Sequence, residues 1–175
     1  MPSIYLSPST QEFNEYADGL GTEEEWMNRL ADAMEPQLAA SGIRFTRNTP
    51  DMTAASSIQA SNAGSYDLHL ALHTNASGSG QAGRNRGILA FYYPGSPRGQ
   101  RAAEFFVDGL KAIYPLPALV RTEPTTTIGE VRRTRAPAVL LELGFHDNPE
   151  DAQWIVTHID AMAESLVLSL TEFFG

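Results

Sequence analysis

Two of the four histidines in the chain, His69 and His73, have a spacing that suggests metal binding. On a helix, residues four apart share one face, as in the zinc motif of metalloproteases. The segment from 67 to 73 reads DLHLALH, however, and its alternation with period two is typical of a strand. Four residues of strand span about 13 Å, too far for one metal ion with bonds of about 2 Å. At most one of the two can therefore be a metal ligand. His73, at the C-terminal end of the strand, is the better placed, with a histidine hydrogen-bonded at a strand end as the alternative, and we predict that His69 is structural.

A single carboxylate interrupts the apolar segment from 139 to 143, which reads VLLEL. Burying Glu142 in such a strand is costly unless the charge has a partner. The partner is a cation, a metal ion or a metal-bound water. An ion pair with Arg132 or Arg133 is the alternative in which Glu142 has only a structural role.

Further polar residues follow the first predicted strand. Ser7, Ser9, Thr10 and Gln11 lie in the loop after that strand, and Glu24 lies in the first turn of the first predicted helix. The position of Glu24 also suits a residue that only stabilises the helix dipole. Gln11 likewise suits an ordinary loop side chain, although its amide oxygen is a weak metal donor.

The elements that must position these residues alternate between strands and helices along the chain. Strands are predicted at 3–7, 43–46, 68–72, 87–93 and 139–143. Helices are predicted from the Thr22 cap to Gly42, at 53–63 and 99–114, from Pro149 behind an Asn148 cap, and at 159–174. This order predicts a single α/β domain over residues 1–175, with a mostly parallel sheet and helices on both faces. Ser7, His73 and Glu142 should emerge at the C-terminal edge of that sheet.

Composition excludes several classes of function. The net charge is −9, which disfavours a nucleic-acid partner, and no apolar run is long enough to span a bilayer. The absence of cysteine excludes disulfides and thiolate ligands, so a metal site must use histidine, carboxylate, amide oxygen or water. The N-terminal residues are typical of a strand and we expect no signal peptide.

Two segments, ALHTNA at 71–76 and PAVLLELGFHDN at 137–148, resemble signature segments of the zinc-dependent N-acetylmuramoyl-L-alanine amidases of the type 3 family. The resemblance covers nearly the whole chain. It implies a twisted, mostly parallel sheet flanked by helices, a zinc cofactor and a peptidoglycan substrate. It also implies that His73 and Glu24 bind zinc and that Glu142 is the catalytic base. Glu24 is chosen because it lies four residues before Asn28, although a slip to Glu23 or Glu25 is open.

The sequence departs from the family at one zinc ligand. The family has a second zinc histidine just after the first strand, whereas this chain has no histidine before His69. Thr10 occupies the position of that histidine, and a neutral hydroxyl is a poor zinc ligand. Gln11 is therefore predicted as the third ligand, with His146 as the alternative.

The predicted reaction is metal-assisted hydrolysis of the amide bond between N-acetylmuramic acid and L-alanine, by an autolysin or endolysin that acts at the bacterial cell wall. One alternative is a weak or inactive module of the same fold that binds cell-wall peptide, and another is a zinc carboxypeptidase acting on the stem peptide. Anionic wall polymers would repel a chain of charge −9, so we expect a cell-wall-binding domain or partner, or release from the cytoplasm at high local concentration.

Overall fold

The computed structural model describes all of residues 1–175 and contains six strands and six helices. The strands are β1 Ser3–Pro8, β2 Arg44–Arg47, β3 Leu68–Asn75, β4 Ile88–Tyr92, β5 Val120–Pro124 and β6 Ala138–Phe145. The helices are α1 Glu23–Ala40, α2 Ala54–Ala63, α3 Pro97–Lys111, α4 Gly129–Arg132, α5 Pro149–Thr157 and α6 Ile159–Phe174. None of these helices combines the length and the apolar character that a membrane span requires.

The strands form one sheet in the order β2-β1-β3-β6-β4-β5. Strands β2, β1, β3 and β6 run parallel to one another. Strand β4 is antiparallel to β6, and β5 is parallel to β4. The predicted α/β domain with a mostly parallel sheet is confirmed, with a reversed pair of strands at one edge.

Helices cover both faces of this sheet. One face buries the main core, where α1, α3 and α6 pack on side chains such as Leu70, Leu72 and Leu141. The other face carries a small cluster around Ala71 and Leu140, and α4 packs there on β6 and beside α2. Because side chains alternate along a strand, the polar residues at 69, 73 and 142 share this second face. Leu168 of α6 lies outside this core, since 57% of its surface is exposed.

Local sequence signals fix the start of helices α1 and α5. The Thr22 hydroxyl accepts a hydrogen bond from the Glu25 amide and caps α1, as predicted. The Asn148 side chain accepts from the amides of Glu150 and Asp151 and caps α5. These caps determine where each helix begins, and therefore which side chains of the first turn can reach the sheet edge.

Three features of the fold were not predicted from the sequence. Strand β5 and the four-residue helix α4 were not expected, and β3 extends to Asn75 instead of ending at Leu72. His73 therefore lies inside β3, directly before the shift in strand register between residues 73 and 75.

Candidate active site

The centre of the site is a pair of side chains on adjacent central strands. His73 of β3 and Glu142 of β6 are register partners. Neighbouring strands lie about 4.8 Å apart, and paired residues project from the same face of the sheet. The two side chains therefore share one site, within the distance that a common reaction requires.

Glu23, the first residue of α1, approaches His73 from the helix end. Its Oε1 lies 2.9 Å from His73 Nδ1 and accepts a hydrogen bond of 3.2 Å from the Thr74 amide. Its Oε2 accepts a hydrogen bond of 2.6 Å from the Asn14 side chain. A glutamate is favoured at a helix N-terminus, and here the cap aims it into the site instead of toward solvent.

Glu130 of α4 approaches the opposite side of the same imidazole. Its Oε2 lies 3.1 Å from His73 Nε2, and its Oε1 lies 3.2 Å from His69 Nε2. The Ser7 hydroxyl donates to Oε1 at 2.5 Å. Both histidines of β3 thus contact one buried carboxylate, through different oxygen atoms.

The two carboxylates control the charge of His73. Burial alone would lower the His73 pKa, but the hydrogen bonds and charges of Glu130 and Glu23 outweigh it and raise the pKa to about 10. Burial would raise the pKa of Glu130, but the bonds from His69 and His73 lower it to about 2. Burial would also raise the pKa of Glu23, but the hydrogen bond and the charge of His73 outweigh burial and lower it. In the metal-free protein, His73 is a cation held between two anions.

Glu142 has no such partner. Its Oε2 is buried and makes no hydrogen bond, and no arginine forms an ion pair with it. Burial raises the Glu142 pKa to about 7; the positive charge of His73 opposes this shift and the negative charge of Glu23 adds to it. The predicted alternative, an ion pair with Arg132 or Arg133, is wrong. A carboxylate with a pKa near neutrality is suited to proton transfer.

His146 borders the site on the side of β6. Its Nδ1 is hydrogen-bonded to Thr74 Oγ1 at 2.9 Å, and its ring stacks on Tyr16 with centroids 5.5 Å apart. Burial lowers the His146 pKa, and the charge of Glu23 opposes that shift. The neutral ring is therefore favoured, which leaves its second nitrogen available to a neighbouring group.

An open cleft of about 260 Å³ leads to His73 and Glu130. One wall is the loop after β1, and the other is the start of α2. Among the lining residues are Thr10, Gln11 and Phe13, whose ring is 75% exposed at the rim. The loop in which the sequence resemblance predicts a histidine is thus part of the cleft wall.

Comparison with protein families identifies the chain. The family model described as N-acetylmuramoyl-L-alanine amidase matches residues 11–172. The chain belongs to this family. It is an enzyme of the amidase class that acts on the peptidoglycan of the bacterial cell wall.

Solved structures share the fold over almost the whole chain. The amidase AmiC2 of Nostoc punctiforme is 13% identical with a TM-score of 0.85, covering 99% of this chain and 97% of its own. The CwlD amidase of Clostridioides difficile, solved in complex with the GerS lipoprotein, is 14% identical with a TM-score of 0.85, covering 99% and 98%. The catalytic domain of the CD27L endolysin targeting Clostridia difficile is 21% identical with a TM-score of 0.77, covering 97% and 96%. No curated protein matches the sequence of this amidase.

The ligand set predicted from the sequence is not assembled as expected. Glu23 contacts His73, whereas the side chain of its neighbour Glu24 makes no hydrogen bond. The Gln11 amide oxygen accepts a hydrogen bond from the Asn14 side chain. No group of three histidine, aspartate or glutamate side chains has the geometry of a metal site. The ligand roles of Glu24 and Gln11 stay predictions, and so does that of His73.

Sequence reasoning missed Glu130, and it chose Glu24 as a ligand where the structure brings Glu23 into contact with His73. A signal for Glu130 exists, since this carboxylate lies two residues after Ile128 and directly before Val131, both of which pack on the sheet. A glutamate between apolar residues needs a buried partner, as Glu142 does. For Glu23 the signal is its place directly after the Thr22 cap.

Proposed function

We propose that this amidase hydrolyses the amide bond between N-acetylmuramic acid and the L-alanine of the stem peptide, with a zinc ion as cofactor. The observation that carries the proposal is the buried, unpartnered oxygen of Glu142 beside His73. A buried carboxylate with a raised pKa and an unsatisfied oxygen is costly to maintain in a fold, and such costs concentrate at functional sites.

The donor chemistry beside Glu142 fits zinc at two positions. Glu23 Oε1 and His73 Nδ1 lie 2.9 Å apart. Ligands of a tetrahedral zinc ion with bonds of about 2.0–2.1 Å lie about 3.3 Å from one another, so this pair needs only a small separation to accept the ion. We infer that Glu23 and His73 hold the metal, with Glu23 in place of the predicted Glu24. A third donor is drawn from the loop at Thr10 and Gln11 or from His146.

A bound zinc ion would polarise the scissile carbonyl and acidify a water molecule. Glu142 would accept a proton from the attacking water as the water oxygen bonds to the lactyl carbonyl carbon, and would pass it to the nitrogen of L-alanine as the carbon–nitrogen bond breaks. His73 and Glu23 orient the reacting groups over the sheet edge, and the Thr74 amide and Asn14 fix the Glu23 carboxylate. The cleft beside the β1 loop provides the approach for a branched polymer.

The proposal is tested on purified peptidoglycan with protein that has been stripped by chelator and reloaded with zinc. Reloaded protein should release stem peptides with a free L-alanine amino group and leave lactyl-bearing glycan strands. Stripped protein should release neither product. Zinc binding without cleavage would instead favour a module that binds cell-wall peptide, and cleavage within the stem peptide would favour a carboxypeptidase.

A further inference from the structure

Glu130 is a buried carboxylate of the site that takes no part in the proposed hydrolysis. It lies on the four-residue helix α4 and is 4% exposed. A charge buried to this degree is retained only with strong hydrogen-bonding partners. Its partners therefore indicate what the residue does.

The partners of Glu130 divide between its two oxygens. Oε1 meets the Ser7 hydroxyl and His69 Nε2, and Oε2 meets His73 Nε2. One of these partners is itself held in place, because His69 Nδ1 is hydrogen-bonded to Ser61 Oγ at 3.0 Å. The hydrogen bonds to Ser7, His69 and His73 together determine the position of the Glu130 carboxylate.

The position of this carboxylate relative to the ring is specific. Glu130 contacts Nε2 of His73, whereas Glu23 contacts Nδ1 on the other side. A carboxylate whose only task was to neutralise a buried histidine could lie at either nitrogen. In this site Glu130 occupies Nε2, so Nδ1, the nitrogen proposed to bind the metal, faces Glu23.

We propose that Glu130 is a positioning residue for His73. By accepting the Nε2 hydrogen, it fixes the ring orientation and keeps that proton in place when metal binding displaces the Nδ1 proton, so that the Nδ1 lone pair is the one left for the metal beside Glu23. A metal-binding histidine commonly donates its other N–H to a carboxylate in this way, which also makes the imidazole a stronger donor. This inference rests on the proposed metal-binding role of His73, and it assigns Ser7 and His69 to the support of Glu130.

The test is zinc titration by calorimetry on folded, chelator-stripped protein and three variants. Glu130→Gln removes the charge, and Ser7→Ala removes one support while leaving the carboxylate intact. The matched control is Asp67→Asn, since Asp67 holds Ser3 of β1 at the opposite end of the sheet, through the Ser3 amide at 2.9 Å. We expect zinc binding to weaken about 10- to 100-fold in Glu130→Gln, in the range typical of outer-shell carboxylates, less in Ser7→Ala, and not at all in Asp67→Asn.

A second readout separates positioning from stability. In zinc-loaded wild type, nitrogen NMR of the His73 ring should show one tautomer with a protonated Nε2, and Ser7→Ala should show exchange between ring states. Wild-type affinity in both Glu130→Gln and Ser7→Ala would overturn the role of Glu130 and leave the proposed function intact. Failure of wild type to bind zinc would overturn the metal-binding role of His73, and with it the proposed mechanism and this inference. If Glu130→Gln does not fold, Ser7→Ala alone decides between these results.

Discussion

At the scale of single residues, burial of the Glu142 carboxylate lowers the stability of the folded protein at neutral pH. Its folded pKa of about 7 lies above the ordinary value of 4.5, because burial disfavours the charged form. The unfolded chain therefore ionises before the folded protein does. Stability attributable to this group is unaffected below pH 4.5, falls as the pH rises to about 7, and stays reduced above that.

Replacing Glu142 with glutamine should make the protein more stable and less active. The gain in the free energy of unfolding should be small at pH 4 and reach its full size above about pH 7. Loss of the proton acceptor should lower peptidoglycan hydrolysis by about 100-fold or more, with zinc affinity largely retained. Urea denaturation over a pH series and product release measure the two effects. Full activity in the variant would remove Glu142 from the mechanism.

Thr10 offers a second prediction at this scale. Thr10 lines the cleft beside His73, and the sequence resemblance predicts a zinc histidine of the family at this position. Imidazole is a better zinc donor than a hydroxyl or amide oxygen. Thr10→His should therefore tighten zinc binding and raise hydrolysis, as zinc titration and product release would show. Equal zinc affinity in wild type and variant would indicate that His146 or another residue already completes the site.

The residue types of the site could be read from the sequence more reliably than their exact positions. His73 and Glu142 stand out because a polar residue in an apolar strand must face a partner, and the strand period fixes its side of the sheet. Glu23 and Glu24 differ by one residue of helix, a rotation of about 100°, and the apolar pattern of the sequence does not fix that rotation at the first turn of a helix. Only the cap and the sheet edge decide which carboxylate turns inward.

At the scale of elements, long periodic segments were predictable and short ones were not. Helices α1 and α6 repeat their apolar pattern over several turns. Helix α4 has four residues, which is too few to show a helical period, and edge strand β5 has a mixed pattern of buried and exposed residues. The carboxylate on α4 was therefore missed along with its helix.

The N-terminal cap of α1 links element stability to the site. Thr22→Ala should destabilise the protein by about 1 kcal/mol, since the Glu25 amide loses its acceptor. Zinc affinity should fall as well, because Glu23 is the next residue. Ser96→Ala is the matched control, since Ser96 caps α3 away from the site. Thermal denaturation should show a similar loss in both variants, and zinc titration should change in Thr22→Ala alone. Equal zinc affinities would show that the cap does not position Glu23.

At the scale of the whole molecule, the charge network predicts the pH range of folding in the metal-free protein. The raised pKa of His73 contributes stability below 6.5 that is lost as the pH rises to about 10. The lowered pKa of Glu130 contributes stability above 4.5 that is lost as the pH falls to about 2. Chelator-treated protein should therefore lose denaturant resistance in both directions from about pH 5. A flat profile between pH 6.5 and 9 would show that His73 is not held as a cation.

The order of strands has a further consequence for local opening of the site. Strands β3 and β6 are the two central strands of the sheet, with β1 and β4 on either side. Amide hydrogens in such strands usually exchange with solvent only when the whole domain unfolds, whereas helix ends and short helices open locally. His73 and Glu142 thus stand on the slowest-exchanging backbone, while Glu23 and Glu130 stand on the first residue of one helix and on a four-residue helix. The contacts to His73 should therefore open and re-form while the strand that carries it stays closed, so the proposed zinc ion would enter and leave without unfolding of the domain.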